Sequence, residues 1–262
     1  MLIKLWYNRK KTHGRDVMVS ATYEKEFEVN DSHCDFRRNL KLSEILNLFQ
    51  EVATVHASQL NCSFNAMRER GYFWVLSRVS MDILRIPKFG DKIVVRTFPE
   101  KPLPLQCHRC YTIESITGER FINGYSMWCV LDITRNRLTP IKNIQLFDPE
   151  TYLTKDFDAS LDKILEEPDE YIYTKIVRPS DIDANIHMNN TRYADIITDA
   201  FSLEYLKENL VSHLQINFLN QSRASDEIKV YRIQGQKENQ FFVNGKIVDT
   251  QCFSSKICFN RE

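Results

Sequence analysis

The chain has 262 residues, 43% hydrophobic and 27% charged, with 35 basic and 35 acidic side chains in balance. That length suits one large domain or two of about 100–150 residues, and the apolar content is ample for a core. Zero net charge gives no bulk attraction to nucleic acid or to an anionic membrane, and no apolar run approaches the ~20 residues that span a bilayer.

Lys4, Arg9, Lys10, Lys11 and Arg15 precede the first acid, Asp16. No apolar stretch follows them, so the segment does not read as a secretion signal. Residues 1–17 are expected to form a basic, unstructured tail, or to reflect an upstream start codon. A helix is expected next, opened by Ser43 as N-cap, because Leu46, Phe49, Val52 and Ala53 fall on one face at helical spacing. Val79 to Val95 (VSMDILRIPKFGDKIVV) then alternates apolar and polar positions with period 2 on both sides of a polar connection, which reads as two half-buried strands. Strands are also expected over Gln106 to Ile116 and Arg120 to Asp132.

The pattern recurs 135 residues later, without a gap, in Leu214 to Val230 (LQINFLNQSRASDEIKV). Val79 matches Leu214, Met81 matches Ile216, Ile83 matches Phe218, and Asp91 matches Asp226. A second helix is expected from Asn190, carrying Tyr193, Ile196, Ile197, Ala200, Phe201 and Leu203 on one face. Strands follow over Glu227 to Gln234, Gln240 to Val248 and Gln251 to Phe259. Each half therefore reads as a lead-in, one long helix and about four antiparallel strands. An antiparallel sheet with one apolar face needs a cover, and a helix lying across a curled sheet supplies it. The expected class is α+β, a tandem double hotdog. Residues 18–137 form the first hotdog, 138–169 a linker rich in Pro and charge, and 170–262 the second.

The seven cysteines are odd in number and read as reduced thiols of a cytosolic protein. Cys107 and Cys110 form a C-x-x-C without a second pair, in a strand that would point them to opposite sides, so no metal site is expected. Gly124 to Trp128 lacks the final Gly of a nucleophile elbow. No glycine-rich phosphate motif is present, and no cofactor is expected.

Chemistry concentrates in Pro179 to Tyr193, PSDIDANIHMNNTRY. Asp183, Asn185 and His187 stand at i, i+2 and i+4, and in an extended lead-in they would point the same way. They precede a helix whose unpaired N–H groups and dipole suit negative charge on a carbonyl oxygen. Asp and Asn at such a position are also common helix caps. The whole string, followed by Asn189, Asn190 and Tyr193, favours chemistry.

The string resembles the D-x-N-x-H-x-N-N-x-x-Y signature of the acyl-acyl-carrier-protein thioesterases, plant enzymes and bacterial relatives alike. The resemblance runs from about Tyr23 to Phe259 and includes WVLSRVSMDILRIPKFGDKIVVRTF from Trp74 and SMWCVLDITRNR from Ser126. It implies hydrolysis of a fatty acyl thioester on acyl carrier protein, releasing free fatty acid and ending chain elongation. It implies a catalytic set of Asp183, Asn185 and His187, with Asn189, Asn190, Trp74 and Ser222 toward substrate. Asp183 or His187 would activate a water, or Asp183 would attack directly. Asn185 would hold the Asp or polarise the carbonyl. The first half would be structural or hold the acyl chain, its own lead-in, NDSHCDFRR from Asn30, lacking D-x-N-x-H. The partner is then an acyl carrier protein bearing a fatty acyl chain, with no nucleic acid and no membrane span. A homodimer stays open. The location is a bacterial cytoplasm, or the plastid stroma of a plant.

One departure stands out. The family's strand Glu falls on Gln221, in Phe218-Leu219-Asn220-Gln221-Ser222. Gln can orient a water but cannot accept a proton. An acyl-coenzyme A thioesterase, or an acyl-binding protein without turnover, is the alternative this departure keeps open.

Overall fold

The computed structural model describes residues 7–12, 15–144 and 152–261. Strands β1 (Tyr7–Thr12) and β2 (Arg15–Ser20) pair as an antiparallel ribbon. This corrects the expectation of an unstructured tail over the described part of residues 1–17. Pairing satisfies the backbone that a tail would leave to water.

The main body is one eleven-stranded antiparallel sheet. Its first half contains β3 (Tyr23–Glu28), β4 (Tyr72–Ile83), β5 (Lys92–Pro99), β6 (Cys107–Ser115), β7 (Arg120–Asp132) and the short β8 (Arg137–Leu138). Its second half contains β9 (Glu170–Ile176), β10 (Asn209–Phe218), β11 (Glu227–Gln234), β12 (Gln240–Ile247) and β13 (Thr250–Arg261). The order is β3-β5-β6-β7-β4-β10-β13-β12-β11-β9, with β8 on β7. It reads the same from either end once repeat equivalents are exchanged.

The two halves meet where β4 pairs with β10. Met81 lies opposite Leu214, Val79 opposite Ile216, and Ser80 opposite Gln215. Ser80 and Gln215 are themselves repeat equivalents, so a pseudo-two-fold passes between them and the seam is isologous. The apolar side chains at the seam, Val79, Met81, Leu214 and Ile216, join one core that spans both halves.

Helix α1 (Leu42–Gln59) lies against the first half and buries Ile45, Leu46, Phe49, Val52, Ala53 and His56. Its N-cap residue is Lys41, and Ser43 is buried inside the first turn, which corrects the expected cap. Phe49 presses onto Gly124 of β7, where a Cβ would collide with the ring. The close approach explains that glycine. The short helix α2 (Phe64–Glu69) is capped by Ser63.

The second half departs from the single long helix expected. Helices α3 (Arg192–Thr198) and α4 (Leu203–Glu208) are separated by a turn. Ser202 Oγ accepts from Tyr205 N at 3.2 Å and restarts the helix, while Arg232 Nη1 donates to the freed Ala200 carbonyl at 2.6 Å. Phe201 is thereby placed among Tyr205, Phe241 and Phe259.

The connection between the halves crosses the sheet face opposite α1. Arg78, Gln215 and Asn217 donate to the carbonyls of Leu161 and Asp162, and Asn244 donates to Glu166. These side chains alternate with core-facing Val79, Leu214, Ile216 and Val243, so they point away from the core. Among the described residues no helix is long and apolar enough to cross a membrane.

Candidate active site

Asp183, Asn185 and His187 lie in a five-residue loop closed by a bridge between Ile182 and Met188. Asp183 N donates to His187 O at 2.9 Å, and Ile186 N donates to Asp183 O at 3.0 Å. The lead-in is thus a tight turn, which corrects the extended geometry expected from the sequence. The reason is local. Asp183 Oδ1 accepts from Asn185 N at 2.8 Å, a side-chain turn that outcompetes an extended backbone. Ile186 takes φ +63°, a left-handed conformation that costs a β-branched residue roughly 1–2 kcal/mol. Its side chain is 77% exposed, so packing does not repay that cost.

The loop brings the acid and amide side chains together and places His187 across the turn, its carbonyl hydrogen-bonded to Asp183 N. The Asn185 side-chain amide lies 3.5 Å from Asp183 Oδ2, so Asn185 holds the carboxylate through its backbone and flanks it with its amide. Asp183 and His187 are half-buried and Asn185 is exposed. Among the described residues, the backbone N–H groups of His187 and Asn190 donate to no protein acceptor. They are open donors at the end of the loop and just beyond it.

The loop is fixed from behind. Met188 N donates to Ser222 O at 2.8 Å, and Asn189 N donates to Asp181 O at 2.8 Å. Burial pushes the Asp181 carboxyl up, but the Arg178 N–H and the Lys175 ammonium overcome it, and the group sits below its ordinary range. Lys175 Nζ is 3.0 Å from Asp181 Oδ2.

The remaining expected site residues divide. Asn189 Oδ1 accepts from Thr191 N at 3.0 Å and Thr191 Oγ1 at 3.1 Å, so its side chain shapes the entry to α3. That helix starts at Arg192, two residues later than Asn190 predicts, and has one short run of seven residues. Asn190 is half-buried beside it. Gln221 lies just beyond β10, exposed, in a loop held by the Cys252 carbonyl through Leu219 N and Asn220 N. The Met188–Ser222 bond brings Gln221 and His187 each within one residue of the same contact. Ser222 is buried, and its hydroxyl accepts from Tyr193 at 2.9 Å. It positions the loop from below. Trp74 is buried in a separate cluster with Leu60, Cys62, Met67 and Val130, and its indole donates to Cys62 O at 2.9 Å. The fold does not bring it to the loop. Cys107 packs in that cluster while Cys110 packs on the opposite face with Phe98 and Tyr125.

Two features escaped sequence reasoning. The first half contains the same loop. Cys34 bridges Leu40, Asp35 N donates to Asn39 O at 2.8 Å, Arg38 N donates to Asp35 O at 3.0 Å, and Arg38 takes φ +61°. Asp35, Arg37 and Asn39 therefore stand where Asp183, Asn185 and His187 stand in the second half. Separately, Arg109 is buried with Nη1 3.1 Å from His56 Nδ1 and 3.3 Å from Thr97 Oγ1. Burial, aided by the Arg109 charge, lowers His56 to about 4.

Comparison with known proteins places this architecture. A solved acyl-ACP thioesterase from Bacteroides thetaiotaomicron superposes with a TM-score of 0.81 at 22% identity, over 92% of this chain and 98% of that one. A 12:0-ACP thioesterase from Umbellularia californica gives 0.83 at 14% identity, over 93% and 98%. The sequence models for the acyl-ACP thioesterase N-terminal domain and C-terminal domain match residues 20–145 and 165–258. The chain belongs to the acyl-ACP thioesterase family. A curated relative, oleoyl-acyl carrier protein thioesterase 1 of Arabidopsis thaliana, chloroplastic, is 23% identical over 225 residues, 79% of this chain and 62% of that protein. The chain thus spans about three-fifths of that relative's length.

Proposed function

We propose that the protein hydrolyses fatty acyl thioesters of acyl carrier protein to free fatty acid and carrier thiol. Its two halves are a tandem pair of hotdog units, with the chemistry in the second. The observation that carries this reading is the loop at Asp183. It holds a half-buried carboxylate, an imidazole and open N–H donors within eight residues, Asp183 to Asn190. Asp183 acts on a water or on the thioester carbon, Asn185 holds it in place, and His187 moves the proton. The N–H groups of His187 and Asn190 are the donors for the developing oxyanion.

Gln221 takes the place of the expected Glu and orients water without accepting a proton. The first half, which carries the long α1, holds the acyl chain. The seven free cysteines fit a reducing compartment such as a bacterial cytoplasm. The test is thiol release from matched acyl-carrier-protein and acyl-coenzyme A thioesters of several chain lengths. Faster release from the carrier-protein series supports the reading. Preference for coenzyme A would move the assignment to an acyl-coenzyme A thioesterase. Tight binding without release would make the protein an acyl binder, the outcome that Gln221 favours.

A further inference from the structure

The charges of this chain balance overall but not everywhere. Residues 60–72, 101–106 and 132–144 hold six cations, Arg68, Arg70, Lys101, Arg135, Arg137 and Lys142, against two acids, Glu69 and Asp132. All six cations are exposed. Asp132 is engaged in its own turn, where Oδ1 accepts from Thr134 N at 3.0 Å and Arg135 N at 2.9 Å, and it meets the Arg135 guanidinium only at 3.9 Å. Among the described residues the other cations of the group form no ion pair.

The fold gathers these segments into one surface. β4 and β7 pair with Tyr72 opposite Asp132, and β8 returns along β7 with Arg137 opposite Asp132. Ile133 N donates to Gly71 O at 3.0 Å, which joins the β7–β8 turn to the end of α2. Ile141 N donates to Pro104 O at 2.8 Å, which joins the segment after β8 to the β5–β6 connection. Beneath them Leu60, Cys62, Met67, Ile141 and Ile144 share a small core of their own, so the surface has a fixed floor. Leu103, Ile133 and Leu138 are left about half exposed among the cations. Apolar side chains grouped among charges of one sign mark an interaction surface.

Its position identifies the partner. The pairing of β10 with β4 ends at Asn217 opposite Arg78. β10 then passes directly into Leu219–Ser222, and the Ser222 carbonyl holds the site loop through Met188 N. In the same direction β4 continues from Arg78 back to Tyr72, about 20 Å at ~3.3 Å per residue. The cationic surface and the Asp183 loop therefore share one end of the sheet, at a separation that a thioester on a flexible arm can bridge.

We propose that this surface docks an acidic face of the carrier protein that brings the acyl thioester to Asp183. The proposal rests on the thioesterase reading for the identity of the cargo, while the sign of the charge comes from the surface itself. The cations steer an acidic carrier and set its orientation, and salt screens the effect. A small thioester without a carrier has nothing to dock and reaches the loop unaided.

Kinetics are measured on the full chain with an acyl-carrier-protein thioester and with the neutral acyl-pantetheine of the same acyl chain. Arg135→Glu/Arg137→Glu reverses two exposed charges and leaves the core untouched. The expected result is a KM for the carrier-protein thioester raised about tenfold, with kcat unchanged and acyl-pantetheine hydrolysis within about twofold of wild type. Raising salt from about 0.1 to about 1 M should raise the wild-type KM and close the gap to the variant. Reversal at Lys92 and Lys229, exposed on β5 and β11, should change neither substrate. Carrier binding is read in parallel by fluorescence anisotropy in the Asp183→Ala background, where the thioester persists, and should weaken about tenfold on reversal at Arg135 and Arg137. Binding weakened in this way, with no hydrolysis by the wild type, would fail the hydrolase reading alone. Hydrolysis of the carrier-protein thioester, with KM and anisotropy unmoved by the reversal, would fail this surface alone. A KM raised equally for acyl-pantetheine, or an equal effect at Lys92 and Lys229, would also overturn it. So would a reversal that abolishes self-association or binding to phosphatidylglycerol vesicles while carrier binding stays intact. Neither carrier binding nor hydrolysis would overturn both readings.

Discussion

Asp35 and Asp183 occupy the same place in two copies of one loop, yet their carboxylates are engaged differently. Asp35 Oδ1 accepts from Arg37 N at 2.8 Å and from Asn39 N at 2.9 Å. Asp183 Oδ1 accepts from Asn185 N alone, and the second oxygen has only the amide at 3.5 Å. The residues two and four places on explain the rest. Arg37 reaches across the molecule and donates to the carbonyls of Leu206 and Lys207 in the last turn of α4, at 3.0 and 3.1 Å. Asn39 is buried at 4% exposure. Asn185 is exposed and His187 half-exposed at the matching positions. One backbone thus serves as a clasp between halves in the first copy. In the second it presents a carboxylate with free lone pairs to solvent. A turn can be kept for its shape while its side chains decide whether it does chemistry.

Substitution at the paired acids separates the two roles most sharply. Asp183→Ala should lower thiol release by about 10³-fold, the scale of a lost acid–base group, while Asp35→Ala changes it less than about threefold and lowers stability. Rates and melting temperatures measured on both variants check this. Gln221→Glu should raise turnover several-fold by adding a proton acceptor beside the second loop, measured with carrier-protein thioesters. An unchanged or lower rate would show that Gln221 is not limiting. Arg37→Ala should cost about 1–3 kcal/mol in urea unfolding, since it removes charge-assisted bonds to the α4 carbonyls. Asn185→Ala, at an exposed position, should cost well under that.

The halves should also part company with pH. His56 is fully buried, with a folded value of about 4 against an ordinary 6.5. Between these values the unfolded chain binds the extra proton, so stability present above pH 6.5 is lost as pH falls toward 4. The slope approaches about 1.4 kcal/mol per pH unit. The second loop's anchor, Asp181, is also depressed, but as a carboxyl of ordinary value 3.8, so its contribution is retained through that window and lost only as pH falls from 3.8 through its lowered value. Urea unfolding across pH, with His56→Gln flattening the upper window, tests the difference.

The strands and their repeat were legible because period-2 alternation survives in sequence on both sides of the polar connections. The candidate site string was legible because Asp183, Asn185 and His187 share five residues. The first copy of the loop was not. From Val29 to Asp91 is a span of 62 residues, but from Val177 to Asp226 only 49, so an alignment fixed on the strands misses the loops. The break between α3 and α4 was hidden because the apolar stripe runs on at helical spacing through Phe201. What breaks the helix is Ser202 and the distant Arg232. The pairing of Arg109 with His56 joins residues 53 apart and left no local trace. Nor could spacing reveal that Trp74 serves a different cluster, or that Ser222 is occupied by Tyr193.

The most direct measurement exchanges the distinguishing side chains between the loops. Thiol release from an acyl-carrier-protein thioester is measured for Asn185→Arg/His187→Asn, which gives the second loop the first loop's residues, with the wild type alongside. If the side chains on this shared backbone carry the chemistry, release falls by about 10³-fold with the fold retained. Release within twofold of wild type would contradict the account and place the chemistry elsewhere in the chain.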